Sequence, residues 1–220
     1  MNTRALPLYV TIAIFLLAYA ICWTQFPTML STRVIGNLLT DNAYLGIVAV
    51  GMTLVILSGG IDLSVGSVIA FSGVFIAVLL RDTSLHPLVV FAMLLAITTA
   101  FGAAMGFLID RLAMPAFIVT LAGMFLARGA AYMLSIQSVP IANPFFQALQ
   151  STYWLMPGKG RLTLIGVLMV LTFIVGMIVA HKTRFGTSVY ALGGGETTAR
   201  LMGVRQGRTT VLVYAFSGLT

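Results

Sequence analysis

Long apolar runs separated by short polar stretches make up most of this chain. The run Ala43–Leu80 is too long for one bilayer-spanning helix, which needs about 20 residues. Within it, Ser58–Ser64 is polar and holds Gly59, Gly60 and Asp62, the one charge between Asp41 and Arg81. Cut at that point, the run leaves Ala43–Leu57 and Val65–Leu80, each about 15 residues and roughly 22 Å long. That is short for about 30 Å of hydrocarbon. Unless Val34–Asn42 extends the first half, the break lies inside the membrane, where irregular backbone must be buried in protein or line a cavity. Short, glycine-interrupted apolar segments are how many transporters build a pathway. Locally, Gly59 or Gly60 can take the left-handed conformation that ends a helix. Asp62 then precedes a new apolar helix, where its carboxylate can accept the free N–H groups of the first turn. A second reading makes Asp62 a substrate or proton group.

The other runs follow the same logic. Leu8–Phe26 is predicted as the first span, anchored by Trp23. Ala18–Tyr19–Ala20 resembles a signal-peptide cleavage site, but the apolar run continues past it and more spans follow. Pro27–Asn42 reads as a short external connection and Arg81–Pro87 as a polar turn whose His86 has no second ligand nearby. Leu88–Ile109 is the fourth span, with Thr98, Gly102 and Gly106 forming a small-residue face suited to close helix packing. Asp110–Arg111 makes a tight turn, and Pro115 opens the fifth span, Ala116–Leu134. Arg128, the one basic residue inside a span, either snorkels outward or faces the bundle and binds a polar solute. Ser135–Arg161 is a long non-membrane stretch with a short surface helix at Pro144–Gln150 and a Pro157–Gly158 turn. Leu162–Ala180 is the sixth span, His181–Arg208 a basic, glycine-rich loop, and Thr209 begins a seventh apolar run of about half a span's length. The expected fold is therefore all-α: a polytopic transmembrane helical bundle, one domain over 1–220, with a broken-helix region at residues 58–64.

Composition sharpens this picture. The chain is 60% hydrophobic and 8% charged, against about 25% charged in a soluble domain. The net charge of +7 is a topology signal and does not suggest nucleic acid. With the N-terminus inside, Arg4, Arg111, Lys182, Arg184, Arg200, Arg205 and Arg208 are cytoplasmic, while Arg33, Arg81, Lys159 and Arg161 are outside. That bias favours a cytoplasmic N-terminus and a cytoplasmic 181–208 loop. The single Cys22 excludes an internal disulfide and a thiol metal site, and the twelve Met read as lipid-facing or core filler. An intramembrane enzyme would need a nucleophile–base pair or a metal cluster at depth, and His86 and His181 fall in predicted loops on opposite sides. No catalytic residue, metal or cofactor is expected. A secondary transporter or channel would show acidic groups within the membrane, for which Asp62 alone, with Asp41 as a further candidate, qualifies.

Within the 181–208 loop, Gly193–Gly194–Gly195 precedes a short helix over about Glu196–Met202, closed by Gly203. Glu196 lies in its first turn, favourable to the helix dipole. Leu201 and Met202 offer an apolar contact and Arg200 a charge. The glycines are not a phosphate loop, since no Lys follows them in the G-x-x-x-x-G-K-[ST] pattern. A long loop with its own helix among short-looped spans is often functional, and a rigid helix projecting into the cytoplasm suits docking to another protein.

Three segments carry a specific resemblance: VGMTLVILSGGIDLSVGSVIAFSG (Val50–Gly73), MPAFIVTLAGMFLARG (Met114–Gly129) and TRFGTSVYALGGGETTARLMGV (Thr183–Val204). The chain resembles, over essentially its whole length, the membrane permease subunit of bacterial ABC sugar importers of the ribose, xylose, arabinose and galactofuranose type. It looks most similar to the galactofuranose type through Asn37–Thr53 and the TRFG loop. The resemblance implies a pathway in the bacterial inner membrane rather than a catalyst. It implies a second permease chain, identical or not, a periplasmic sugar-binding protein received by Ser135–Arg161, and cytoplasmic ATP-binding subunits that hold the ATPase activity. Those subunits would dock on the 193–203 helix, through Gly194, Gly195, Glu196, Thr197, Ala199, Arg200, Leu201, Met202 and Gly203. Ser58, Asp62, Ser64, Ser67, Thr120 and Arg128 are the candidates for lining the path, with helix-packing contacts as the alternative role of each Ser or Thr. Permeases of this family are about half as long again, with further spans after this loop. The chain is therefore expected to be C-terminally short of its relatives, which leaves a non-conducting permease fragment as an alternative.

Overall fold

The structure is a computed structural model that describes residues 6–157 and 160–220. Arg4, Lys159 and Gly158, named above, lie outside the described residues. Helix α1 (Leu6–Gln25) is followed by a 3-10 turn (Pro27–Leu30) and by α2 (Thr32–Asp41) and α3 (Ala43–Leu57). Then come α4 (Val65–Asp82), α5 (Pro87–Arg111), α6 (Ala116–Leu134) and α7 (Pro144–Ser151). A two-stranded hairpin, β1 (Tyr153–Met156) and β2 (Gly160–Thr163), leads into α8 (Leu164–Lys182), α9 (Arg184–Gly194), α10 (Glu196–Leu201) and α11 (Gln206–Leu219).

Five of these helices (α1, α4, α5, α6 and α8) are long and apolar enough to cross a membrane. The pair α2 and α3, bent by 59° at Asn42, passes the same test together. The fold is thus mostly helical, as the pattern predicts, and Ala43–Leu57 and Ala116–Leu134 match their predicted limits. Three expectations are corrected. Pro27–Asn42 is not a plain connection: Ser31 accepts the N–H of Val34 and starts the ten-residue α2, one face of which lies on β2. The 181–208 segment is helical before the glycines as well, because Thr183 caps α9 by accepting the N–H of Gly186. Asp110 and Arg111 are the last residues of α5, and the turn falls on Leu112–Pro115, where Ala113 has φ 48°.

The hairpin is antiparallel, with Trp154 opposite Leu162 and Leu155 opposite Arg161. It is fastened to α2 by Thr32, whose hydroxyl donates to the Pro157 carbonyl at 2.6 Å, and by a 2.9 Å hydroxyl pair, Thr40 and Thr163. Nearby, His86 accepts the N–H of Leu88 at the start of α5, and its ring meets Phe145 of α7 edge-on at 5.7 Å. Arg33, Arg81 and Arg161 therefore stand at one end of the bundle. Arg111, Arg205 and Arg208 gather at the other end with α9 and α10.

The centre is built by α11 lying antiparallel along α5, the most extensive helix pair in the molecule. The predicted face of Thr98, Gly102 and Gly106 is what admits it. A Cβ on Gly102 would fall into the Tyr214 carbonyl, one on Gly106 would stand 2.7 Å from the Val211 Cα, and Gly218 answers from α11 against the Thr98 carbonyl. Small residues let two backbones approach this closely, which is how helices gain packing energy when lipid removes the hydrophobic drive. A core of Leu54, Val55, Ala180, Val189, Val213 and Tyr214 ties α11 to α3, α8 and α9. Helix α1, by contrast, is exposed along nearly its whole length and packs chiefly on the 3-10 turn beside it.

Replacing Gly102 by Val should therefore destabilise the detergent-purified protein by about 1–3 kcal/mol, the usual range for overpacking. Gly66→Ala, where no atom lies within 4 Å of the added methyl, should leave the unfolding temperature unchanged or slightly raised.

Candidate functional site

The site is assembled around the break. Helix α3 ends in a Schellman arrangement: Gly59 has φ 79°, its N–H donates to the Ile56 carbonyl at 3.0 Å, and the Gly60 N–H donates to the Val55 carbonyl at 2.9 Å. A residue with a Cβ is strained in that left-handed conformation, so glycine is the residue the turn demands. The chain then runs without helical bonding from Gly60 to Ser64. Its exposed backbone and its carboxylate are met by α11. The Tyr214 hydroxyl donates to the Ile61 carbonyl at 2.9 Å, and the Ser217 hydroxyl donates to Asp62 Oδ2 at 3.1 Å. Asp62 Oδ1 accepts both the N–H (2.9 Å) and the hydroxyl (2.6 Å) of Ser64.

Asp62 is 5% exposed, and all of these donors are neutral. Among the described residues the one ion pair is Arg81–Asp82, 2.6 Å and solvent-exposed at the far end of α4. The capping role expected of Asp62 is thus altered. It fastens Ser64, the residue that starts α4, rather than the first-turn amides, and it joins the break to α11. Depth follows from the register of α11. Its first turn lies against Asp110 at the end of α5, and Ser217 is ~16 Å further along at 1.5 Å per residue. The break therefore climbs from the α9–α10 end to well within the bundle.

The six predicted pathway residues do not share one cavity. Asp62 and Ser64 line a 480 Å³ cavity between α3, α4, α5 and α11, with Tyr44, Ser72, Thr98, Ser217 and Thr220 as its other hydroxyls amid mainly aliphatic and aromatic walls. Ser58, whose hydroxyl donates to the Val55 carbonyl at 2.7 Å, lines a 360 Å³ pocket at the α9–α10 end with Asp110 and Glu196. Ser67 and Arg128 line a 530 Å³ groove between α4 and α6. Thr120 is fully buried, donates to the Ala116 carbonyl at 2.8 Å and lines none of these spaces. Tyr214 and Ser217 were missed by sequence reasoning. Their signal is modest: a tyrosine and a serine three apart, hence on one face, in an otherwise apolar run.

The loop helix stands out from the body. Gly194 ends α9, Gly195 (φ 152°) starts α10, and Gly203 (φ 80°) follows it. Leu201 and Met202 are 85% and 73% exposed; Glu196, Thr197 and Arg200 are exposed, while Ala199 is wholly buried. The α9 end rests directly on the break, since a Cβ at Gly193 would fall onto the Leu57 carbonyl.

Residues 34–220 match the family model described as branched-chain amino acid transport system / permease component. The chain is 56% identical, over 99% of its length, to the inner membrane ABC transporter permease protein YjfF of Escherichia coli (strain K12), covering 66% of that protein. It is 35% identical to the fructose import permease protein FruG of Bifidobacterium longum (strain NCC 2705), over 99% of this chain and 65% of that one. It is also 35% identical to the ribose import permease protein RbsC of Escherichia coli (strain K12), over 93% and 63% respectively. The chain thus spans slightly less than two thirds of the length of these curated relatives. No solved structure matches it.

Asn keeps the Oδ1 acceptor for Ser64, and its NH2 can donate to a Ser217 hydroxyl turned to accept, so Asp62→Asn should unfold near the wild-type temperature, whereas Asp62→Ala should lose about 1–3 kcal/mol by stranding its buried donors. Thermal unfolding in detergent reads both.

Proposed function

The chain belongs to the branched-chain amino acid transport system / permease component family, and from that premise we propose that it is the permease subunit of an ATP-driven monosaccharide importer in the bacterial inner membrane. It spans the membrane several times, its N-terminus and the 181–208 segment lie in the cytoplasm, and the hairpin end faces out. Residues 1–220 act as one transmembrane domain. The solute passes by the 58–64 break, and cytoplasmic ATP-binding subunits, which carry the ATPase activity, drive the cycle by docking on α10.

The observation that carries this reading is the contact between the loop helices and the break. An exposed apolar tip, Leu201–Met202, is connected back through α10 to Gly193 at the end of α9, which lies against the first turn of the irregular stretch. A push on α10 therefore has only Gly194 and Gly195 to cross before it reaches the break. Ala199 would act from within, holding α10 to the body, and Gly194, Gly195 and Gly203 set its angle. Glu196, Thr197, Arg200, Leu201 and Met202 form the touching surface. On the outer side, α7 and the hairpin would receive a sugar-loaded binding protein, and a second permease chain would complete the path.

The solute class is a neutral sugar. A sugar needs several weak hydroxyl contacts and must leave again, which suits Ser and Thr better than a fixed ion pair. The relatives carry fructose and ribose in their names. The galactofuranose-type resemblance of Asn37–Thr53 and the TRFG loop makes galactofuranose the first sugar to try.

The test is co-purification in detergent with the neighbouring ATP-binding subunit, followed by sugar uptake in reconstituted vesicles. Leu201→Ala with Met202→Ala should weaken ATPase capture about tenfold, roughly 1.4 kcal/mol, while membrane insertion stays normal. Undiminished capture would remove α10 from the interface, and uptake that persists without any ATPase would replace the importer by a secondary transporter.

A further inference from the structure

We infer that the groove between α4 and α6 is a water-filled vestibule that leads a polar solute from the hairpin side down to the break. The inference rests on the permease reading above and locates its outer path. Two spaces in the bundle compete for that role. The cavity between α3, α4, α5 and α11 has mainly apolar walls, and its polar groups beside the break are already engaged: Asp62 with Ser64 and Ser217, Thr98 with the Leu94 carbonyl. The α4–α6 groove is different in kind.

Its wall on α4 is the stripe Gly66, Ala70 and Val74, spaced by four and hence on one helix face. Its wall on α6 carries Arg128, whose side chain is exposed in the groove and, among the described residues, meets no carboxylate. The rim is Ser135, Gln137 and Ser138, in the loop at the hairpin end. From Ser135 down to Met124 the groove runs ~16 Å along α6, and Arg128 sits ~9 Å below the helix end. Leu63, next in sequence to Asp62, forms the floor.

A guanidinium cannot lose its charge in a protein and is costly against acyl chains, so a groove that holds one at this depth is hydrated or covered by polar groups. Its N–H donors suit the hydroxyl and ring oxygens of a sugar. The groove stops at the break, and the pocket bearing Ser58 and Glu196 begins on the other side of it. Residues 58–64 are thus the partition between an outer and an inner space.

The experiment is thiol accessibility in the assembled complex. In a Cys22→Ser background, single cysteines replace Gly66, Ala70 and, on the outward face of α6, Phe125, which is 63% exposed. Right-side-out vesicles are treated with a membrane-impermeant sulfonated methanethiosulfonate, and labelling after denaturation confirms that each thiol is present. Gly66→Cys and Ala70→Cys should react at least about tenfold faster than Phe125→Cys, because the reagent needs water. Groove thiols as slow as Phe125→Cys, or reactive only in inverted vesicles, would overturn the vestibule. The readout does not involve uptake. A reactive groove in a complex that imports no sugar would defeat the importer reading and leave the vestibule standing.

Discussion

Backbone that leaves helical geometry inside a bilayer must find its hydrogen bonds in the protein, because lipid offers none. That constraint organises this molecule. The stretch Gly60–Ser64 abandons helical bonding in the interior, and α11 supplies what is missing, a tyrosine hydroxyl to the Ile61 carbonyl and a serine hydroxyl to the Asp62 carboxylate. Helix α11 can do so only because Gly102 and Gly106 let it lie against α5 at backbone distance. The glycine face and the break, far apart in sequence, are two parts of one device.

The same device has an exposed handle. Helix α9 ends on the first turn of the break through Gly193, and α10 projects beyond it with Leu201 and Met202 uncovered. In the proposed importer, movement imposed at α10 is delivered to a segment whose conformation is held by a few side-chain hydrogen bonds rather than by a helical ladder. Each such bond contributes about 1 kcal/mol net, so a few of them hold the segment firmly yet remain within reach of a docking partner's binding energy.

The two charged groups near the break have different surroundings and hence different uses. Asp62 is enclosed by neutral hydrogen-bond donors, through which it joins the break to Ser64 and α11. Arg128 lines the open groove between α4 and α6 and, among the described residues, meets no carboxylate.

Most of the helices were legible in the sequence, because apolar runs of span length and polar punctuation are local properties. The limits of α3 and α6, the short α10 and the left-handed glycine after α3 all follow from residues within a few positions of one another. The helix in Thr32–Asp41 was not read, since its amphipathic face has meaning only against the hairpin, which itself depends on pairing Tyr153–Met156 with Gly160–Thr163. The candidate site was half legible. The sequence by itself marked the break, the small-residue face and Arg128, since glycine, small residues at spacing four and an isolated charge each announce an unusual backbone or environment. It could not state that the face belongs to α11, that Tyr214 and Ser217 hold the break, or that Ser67 and Arg128 share a groove from which Asp62 is absent. Those are contacts between residues up to 155 positions apart, and only the packing of helices in three dimensions decides them.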